Sequence, residues 1–149
     1  IINPYVTNTH SVRRAMKQAL RRGIRMKIMV SANSDNKIVP EVIGIQMKKM
    51  MRRGAEVYYF EGGFHHSKIM TVDNEIGIIG TANLDGRSLR YDYEVNAVVF
   101  DPQVTKELNE TFRRSALPSQ ILTPKNFTQR FSLKRRFVGR MFQPIKGLL

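Results

Sequence analysis

The sequence predicts an α/β domain in which a layered, mixed β-sheet is flanked by helices. Three observations carry that expectation. Apolar residues recur with a helical period in residues 11–22 and 41–53, and each run stops at a glycine before an alternating, strand-like run begins. Two further alternating runs, 66–72 and 76–81, are separated only by Asp73-Asn74-Glu75. Finally, Asp101-Pro102 follows a fifth strand-like run and opens another helix.

Taken in order, the first helix places Val12, Ala15, Met16, Ala19 and Leu20 on one face beneath a basic outer face. Gly23 ends it, residues 24–30 (IRMKIMV) alternate as a strand, and residues 31–36 (SANSDN) form a polar loop. The second helix carries Val42, Ile45, Met47, Met50 and Met51. That methionine stripe reads as core packing rather than a cofactor-binding surface. Gly54 precedes a strand over residues 55–60, and Glu61-Gly62-Gly63 leads to the paired runs and their turn. A strand over residues 93–100 precedes a helix from Pro102 to about Arg114, capped by Asp101. No internal repeat is visible.

Residues 125–149 differ in composition. Lys125, Arg130, Lys134, Arg135, Arg136, Arg140 and Lys146 stand there without one acidic residue. Phe127, Phe131, Val138 and Phe142 fall near one face of a helix. Such a helix either lies in a membrane interface or docks on its own domain, and both readings stay open. The expected organisation is a catalytic unit over residues 1–117 and a basic, aromatic, amphipathic extension over residues 118–149.

Composition narrows the chemistry. With a net charge of +13, the 149-residue chain should prefer polyanionic partners: nucleic acid, an anionic membrane or a phosphate-bearing substrate. The absence of cysteine excludes disulfides, thiolate catalysis and Cys-ligated zinc. No apolar run approaches the roughly 18 residues of a membrane span, and no signal peptide is visible. The opening Ile1-Ile2-Asn3-Pro4-Tyr5 reads as a strand entered from upstream. The expectation is therefore a fragment, whose missing part could hold a membrane anchor.

The stretch HHSKIMTVDNEIGIIGTAN, residues 65–83, concentrates the candidate chemistry. On one strand, His66 and Lys68 share a face, as do Thr81 and Asn83 on the next. A hairpin closed by the four residues 73–76 would set Val72 opposite Gly77, Lys68 opposite Thr81 and His66 opposite Asn83. All four side chains would then gather on one sheet face with no carboxylate among them, as a phosphate site requires. Lys68 supplies a point charge for phosphoryl oxygens, and Thr81 and Asn83 supply neutral donors. His66 can attack phosphorus or carry a proton, but not both at once. In-line displacement needs a nucleophile on one side of phosphorus and an acid on the other. His65 points to the opposite face, and His10 sits in a loop with no lysine two residues on. The complete site must therefore draw on a second copy of this chain or on a missing homologous half. Glu94 is the candidate carboxylate for orienting His66, with Asp92 the alternative. Asp73, in the turn and of opposite parity to His66, reads as an Asx-turn or ion-pair residue.

The spacing His66-Ser67-Lys68, Asp73, Gly80-Thr81-Ala82-Asn83 resembles the HxKxxxxDxxxxxxG(S/T)xN signature of the phospholipase D superfamily. Six fixed positions coincide by chance on the order of once in ten million starts. The resemblance extends over nearly the whole chain to the C-terminal half of bacterial cardiolipin synthases. Asn3-Pro4-Tyr5-Val6, the approach Gly62-Gly63-Phe64-His65, the run Asn83-Leu84-Asp85-Gly86-Arg87-Ser88 and Tyr93-Glu94-Val95-Asn96 carry it. Gly147-Leu148-Leu149 resembles a natural terminus.

The resemblance implies one phospholipase D-like half-domain at a bacterial cell membrane, working without metal or other cofactor. Two motifs would face each other, one histidine forming a phosphohistidine and the other protonating the leaving group. It implies catalytic roles for His66, Lys68 and Asp73 as the motif residues, with Glu94 orienting His66. Lys68, Thr81 and Asn83 would bind substrate phosphate. The substrate would be phosphatidylglycerol, with a second phosphatidylglycerol as acceptor. His66, in the second motif of an intact enzyme, would be the acid/base, although the nucleophilic role stays open. Two other readings remain: a homodimeric, metal-independent nuclease of the same superfamily, with nucleic acid as partner, and a non-catalytic fragment that binds anionic surfaces.

Overall fold

A computed structural model describes residues 1–6, 9–34 and 38–144. Asp35 and Asn36 of the expected loop, and the Gly147-Leu148-Leu149 end, lie outside the described residues. The elements run α1 (His10–Arg21), β1 (Lys27–Ser31), α2 (Val39–Met51), β2 (Glu56–Phe60), β3 (Lys68–Val72), β4 (Ile76–Gly80), β5 (Asn96–Val99), α3 (Pro102–Ala116), β6 (Ser119–Ile121), α4 (Pro124–Arg130) and α5 (Leu133–Met141).

Two three-stranded groups, β1-β2-β6 and β3-β4-β5, are joined through the chain's first residues. Ile2 bridges β1 in parallel at Met29 and β3 in antiparallel sense at Ile69. Its N–H donates to the Ile69 carbonyl at 2.8 Å, and the Ile69 N–H donates back at 2.9 Å. The result is one continuous mixed sheet, as expected, with β1 and β2 parallel and the other strand pairs antiparallel.

Alternation along the central strands sorts the core onto two faces. Ile28, Val30, Val57 and Tyr59 pack against Met16 of α1, Ile43, Met47 and Met50 of α2, and Phe127 of α4. The methionines of α2 are core residues, as anticipated. Met29, Tyr58, Ile69 and Ile2 face the other way, onto Leu108, Phe112 and Ala116 of α3. Helices therefore cover both faces. Gly23 and Gly54 end α1 and α2 with φ of +81° and +96°, the left-handed backbone that glycine adopts without steric cost. Asp101 caps α3 by accepting from Gln103 N–H at 2.7 Å and Val104 N–H at 3.1 Å.

The expected hairpin register is corrected by one residue. Val72 pairs with Ile76 rather than Gly77, and Lys68 pairs with Gly80 rather than Thr81. Asp73 and Asn74 both take positive φ, +52° and +60°, and the Glu75 N–H closes on the Val72 carbonyl at 3.1 Å. That I′ pattern suits the strand twist and leaves three residues in the loop instead of four. Asn109 of α3 holds the turn by donating to Asn74 Oδ1 at 2.7 Å and accepting from Thr71 at 2.7 Å.

Residues beyond α3 return to the same body. Ser119–Ile121 adds an antiparallel edge to β2, a strand the sequence reading did not anticipate. The aromatic tail is two helices, not one. Ser132 accepts from the Arg135 N–H and caps a new helix immediately after Phe131. Phe127 and Phe131 stack at 4.8 Å inside the core, so the docked alternative describes these two residues. Arg135 anchors α5 by donating to Glu41 of α2 at 2.7 Å.

Candidate active site

His66 lies just before β3, held by the residues around it. Ser31, buried at the end of β1, donates to the Gly63 carbonyl at 3.2 Å and accepts from the His65 N–H at 3.1 Å. Phe64 packs its ring 5.1 Å from the His66 ring. His65 turns away, onto Phe60 and the Ser115 hydroxyl at 2.8 Å, and burial holds its pKa below the usual imidazole range. His10 stands exposed as the first residue of α1 rather than in a loop.

Lys68 opens β3 and folds back on His66. Its Nζ lies 2.9 Å from His66 Nε2 and donates to the His66 carbonyl at 2.7 Å. An ammonium has only donors, so in this arrangement His66 Nε2 is the acceptor. Burial pulls the Lys68 pKa below the usual lysine range, opposed by the negative charges of Glu94 and Asp85.

The Gly80-Thr81-Ala82-Asn83 segment is positioned by different contacts from those the expected register supplied. Thr81 falls one residue past β4, where strand parity no longer decides its direction. The Thr81 N–H donates to the Val95 carbonyl at 3.0 Å, and the Val95 N–H donates to Thr81 Oγ1 at 3.0 Å. The Thr81 hydroxyl in turn donates to Glu94. Ser88 donates to the other Glu94 oxygen at 2.7 Å. These two hydrogen bonds, aided by the charge of Lys68, hold Glu94 below the usual carboxylate range. Among the described residues no hydrogen bond joins Glu94 to His66. Asp92, the alternative carboxylate, pairs with Arg87 at 3.1 Å. Asn83 is half-buried, and its Oδ1 is buried without a hydrogen-bond partner among the described residues. Asp73 sits exposed in the turn at the far end of β3, a strand length or roughly 16 Å from Lys68, with no ion pair among the described residues.

The structure thus gathers His66 with Lys68, and Thr81 with Glu94 and Ser88; the Lys68–Glu94 attraction links the two groups. Three contributors were missed as individual residues. Asn3 is buried and holds the loop after β4, donating to the Ala82 carbonyl at 3.2 Å and accepting from the Leu84 N–H at 3.3 Å. Ser88 holds Glu94. Asp85 is buried, which pushes its pKa up against the hydrogen bonds of the Ser88 and Arg87 backbone. Their signal lay in the Asn-Pro-Tyr and Asn-Leu-Asp-Gly-Arg-Ser runs, which carried resemblance but no assigned task. Among the described residues no three imidazole or carboxylate groups converge to ligate a metal ion.

The family described as cardiolipin synthase, PLD-like domain, matches residues 1–116. The chain belongs to this phospholipase D-like family. It is similar to a cardiolipin synthase of Listeria monocytogenes, 34% identical over 146 residues, and to cardiolipin synthase 1 of Staphylococcus epidermidis, 31% identical over 145. Each alignment covers 96% of this chain but 30% of the relative, so the chain spans about a third of the length of these relatives. The phospholipase D-like fold recurs in phosphatidylserine synthase of Haemophilus influenzae, with a TM-score of 0.74 and 18% identity over 98% of this chain and 39% of that one. It recurs also in Nuc of Salmonella typhimurium, a phospholipase D family member, with a TM-score of 0.70 and 16% identity over 81% of this chain and 78% of that one. Among the described residues of this phospholipase D-like domain, no helix is long and apolar enough to cross a membrane.

Proposed function

We propose that this domain is one half of a phosphatidyltransferase that forms cardiolipin from two phosphatidylglycerols. The observation that carries the reading is the convergence of Lys68 Nζ and His66 Nε2 to 2.9 Å. Once Lys68 Nζ exchanges its bond to His66 Nε2 for a phosphoryl oxygen, the freed imidazole nitrogen stands beside that phosphodiester and can reach phosphorus or the leaving oxygen. Relatives named cardiolipin synthase, aligned over 96% of this chain, supply the substrate class.

In the proposed reaction one of two facing histidines attacks phosphorus, forming a P–N bond as the bond to the glycerol oxygen breaks. The opposite imidazolium gives that oxygen its proton. The hydroxyl of a second phosphatidylglycerol then attacks phosphorus, its proton passes to the same imidazole, and the P–N bond breaks. His66 takes the acid/base position in an enzyme with two motifs. Lys68 and Asn83 hold phosphoryl oxygens, while Thr81, whose single hydroxyl proton goes to Glu94, positions that carboxylate. Glu94, fixed by Thr81 and Ser88, supplies a negative charge that opposes the effect of burial on Lys68. Asp73 acts on the fold of the turn.

Because each displacement needs two histidines, the test compares the chain by itself with the chain assembled with a second motif-bearing half. Light scattering gives the assembly state, and glycerol release is followed from phosphatidylglycerol micelles in EDTA. Turnover by the two-motif assembly, abolished by His66→Asn, is the expected result. A folded two-motif assembly that releases no glycerol refutes the reading. Metal-independent cleavage of DNA by a dimer of this chain would establish the second reading, a nuclease. The net charge of +13 motivates that alternative, although it attracts anionic lipid as well as DNA.

A further inference from the structure

The outer face of α5 carries three large apolar side chains that touch no core. Leu133, Phe137 and Met141 are 78%, 68% and 56% exposed. They recur every four residues, so they form a single stripe about 80° wide. By the same helical geometry, Arg136 and Arg140 border the stripe on one side and Lys134 on the other. The inner face of α5 is committed elsewhere. Gly139 is buried so close to α2 that a Cβ would lie 2.4 Å from the Glu41 carbonyl oxygen, and Arg135 is paired with Glu41. The helix is therefore fixed from within, and the stripe points outward.

Among the described residues Lys134, Arg136 and Arg140, which border the stripe, make no salt bridge. Lys48, held below the usual lysine range by burial, also feels the like charges of Arg136, Arg52 and Arg140. Lys49, shifted the same way and again chiefly by burial, feels Arg13, Arg53 and Arg140. The ends of α2 and α5 and the basic side of α1 thus form one connected field. Neither α1 nor α5 contains an acidic residue.

We propose that this face docks on an anionic bilayer, with Leu133, Phe137 and Met141 entering the boundary between headgroups and acyl chains while the flanking cations meet lipid phosphates. Only the two halves of the surface taken together require a bilayer. Nucleic acid would satisfy the cations and leave the apolar stripe in water, whereas an anionic membrane takes up both. The proposal names the membrane partner of the transferase reading and rests on it for its substrate. Its measurement needs no turnover, so the two can fail separately.

The test uses the purified chain and sedimentation with vesicles of phosphatidylcholine, with and without phosphatidylglycerol. Binding should require phosphatidylglycerol and weaken with salt. The triple variant Leu133→Ser, Phe137→Ser, Met141→Ser should lose at least about tenfold in vesicle affinity, with an unchanged melting temperature because the three side chains are exposed. Arg136→Gln and Arg140→Gln should each cost about fivefold. His66→Asn should bind as the wild type does, whatever becomes of catalysis. The chain contains no tryptophan, so Phe137→Trp provides a single emitter whose spectrum should shift to the blue on anionic vesicles. Undiminished vesicle binding by the triple variant, or an unshifted Phe137→Trp spectrum on bound vesicles, overturns the proposal. So does a chain that binds duplex DNA but not anionic vesicles, or a dimer that the triple variant dissolves without any vesicle binding.

Discussion

Replacing Gly80 by alanine tests how the site is held together. A Cβ at Gly80 would lie 2.2 Å from Asn96 Oδ1, 2.3 Å from the Val95 carbonyl oxygen and 2.7 Å from Asn96 Cα. The amide oxygen can swing away, but the other two atoms are backbone at the entry to β5. A carbon-to-oxygen contact relaxes only near 3.3 Å, so the Val95–Asn96 segment must withdraw by roughly 1 Å. The Thr81 N–H to Val95 bond, 3.0 Å in the native fold, would then stretch to roughly 4 Å and cease to be a hydrogen bond. Glu94 precedes Val95 and would lose its anchorage on Thr81. The expected cost is about 1–3 kcal/mol of stability, as for overpacking elsewhere. A displacement of that size should also lower turnover in the assembled enzyme by about a hundredfold. Urea titration measures the first, and glycerol release the second. Amide hydrogen exchange locates the damage, which should appear as lost protection at Thr81 and Val95. Native protection at those two amides together with full turnover in Gly80→Ala would refute the reasoning.

Lys68→Ala should weaken phosphate or vanadate binding by about ten- to a hundredfold, the range of a charge-assisted hydrogen bond. It should leave stability nearly unchanged, because burial disfavours this ammonium; unchanged affinity in a binding titration would show that Lys68 does not face the phosphate. Ser88→Ala removes one of the bonds that depress Glu94. A depressed carboxylate stabilises the fold above its unfolded pKa and loses that contribution as pH falls through its folded pKa. The stability gap between wild type and Ser88→Ala should therefore be full at neutral pH and close in strong acid, and a pH-independent gap in urea titrations would refute the coupling. Phe131→Ala empties a core site bounded by Phe127, Tyr59 and Gly44. It should cost about 3–5 kcal/mol by chemical denaturation, whereas a cost near zero would mean that α4 and α5 do not belong to the folded body.

The motif and the layered fold were legible because both depend on local spacing. Helical period, glycine stops and the Asp101 cap act within a few residues, and the structure keeps them. Features that depend on distant partners were not legible. Strand parity told which residues share a face, but register depends on loop length. Asp73 and Asn74 are among the few residue types that enter left-handed backbone readily, and the I′ turn they form shortens the loop by one. Ser119–Ile121 lacks an alternating apolar pattern and becomes a strand only because β2 offers an edge. Phe127 and Phe131 shared a computed face with Val138 and Phe142 only if one helix ran through Ser132, whose side chain instead starts a second.

The register correction changes what the Gly80-Thr81-Ala82-Asn83 sequence does. Gly80 permits the close approach of Val95 and Asn96, Thr81 ties that backbone to Glu94, and the Ala82 carbonyl is held by Asn3. Three of the four residues build the frame. Asn83 does not, because its buried Oδ1 has no partner among the described residues. That oxygen is an acceptor, so a phosphoryl oxygen would be met by the Nδ2 donors of the same amide and not by Oδ1 itself. Substitution by leucine, similar in size and free of polar atoms, separates the alternatives. If Asn83 serves substrate, Asn83→Leu should hold or raise stability in a urea titration while phosphate or vanadate affinity falls about tenfold. If the amide instead supports the loop, stability should fall by about 1–3 kcal/mol and affinity should fall only as the loop loosens. A destabilised variant with native affinity would remove Asn83 from the phosphate site and leave Lys68 to hold it.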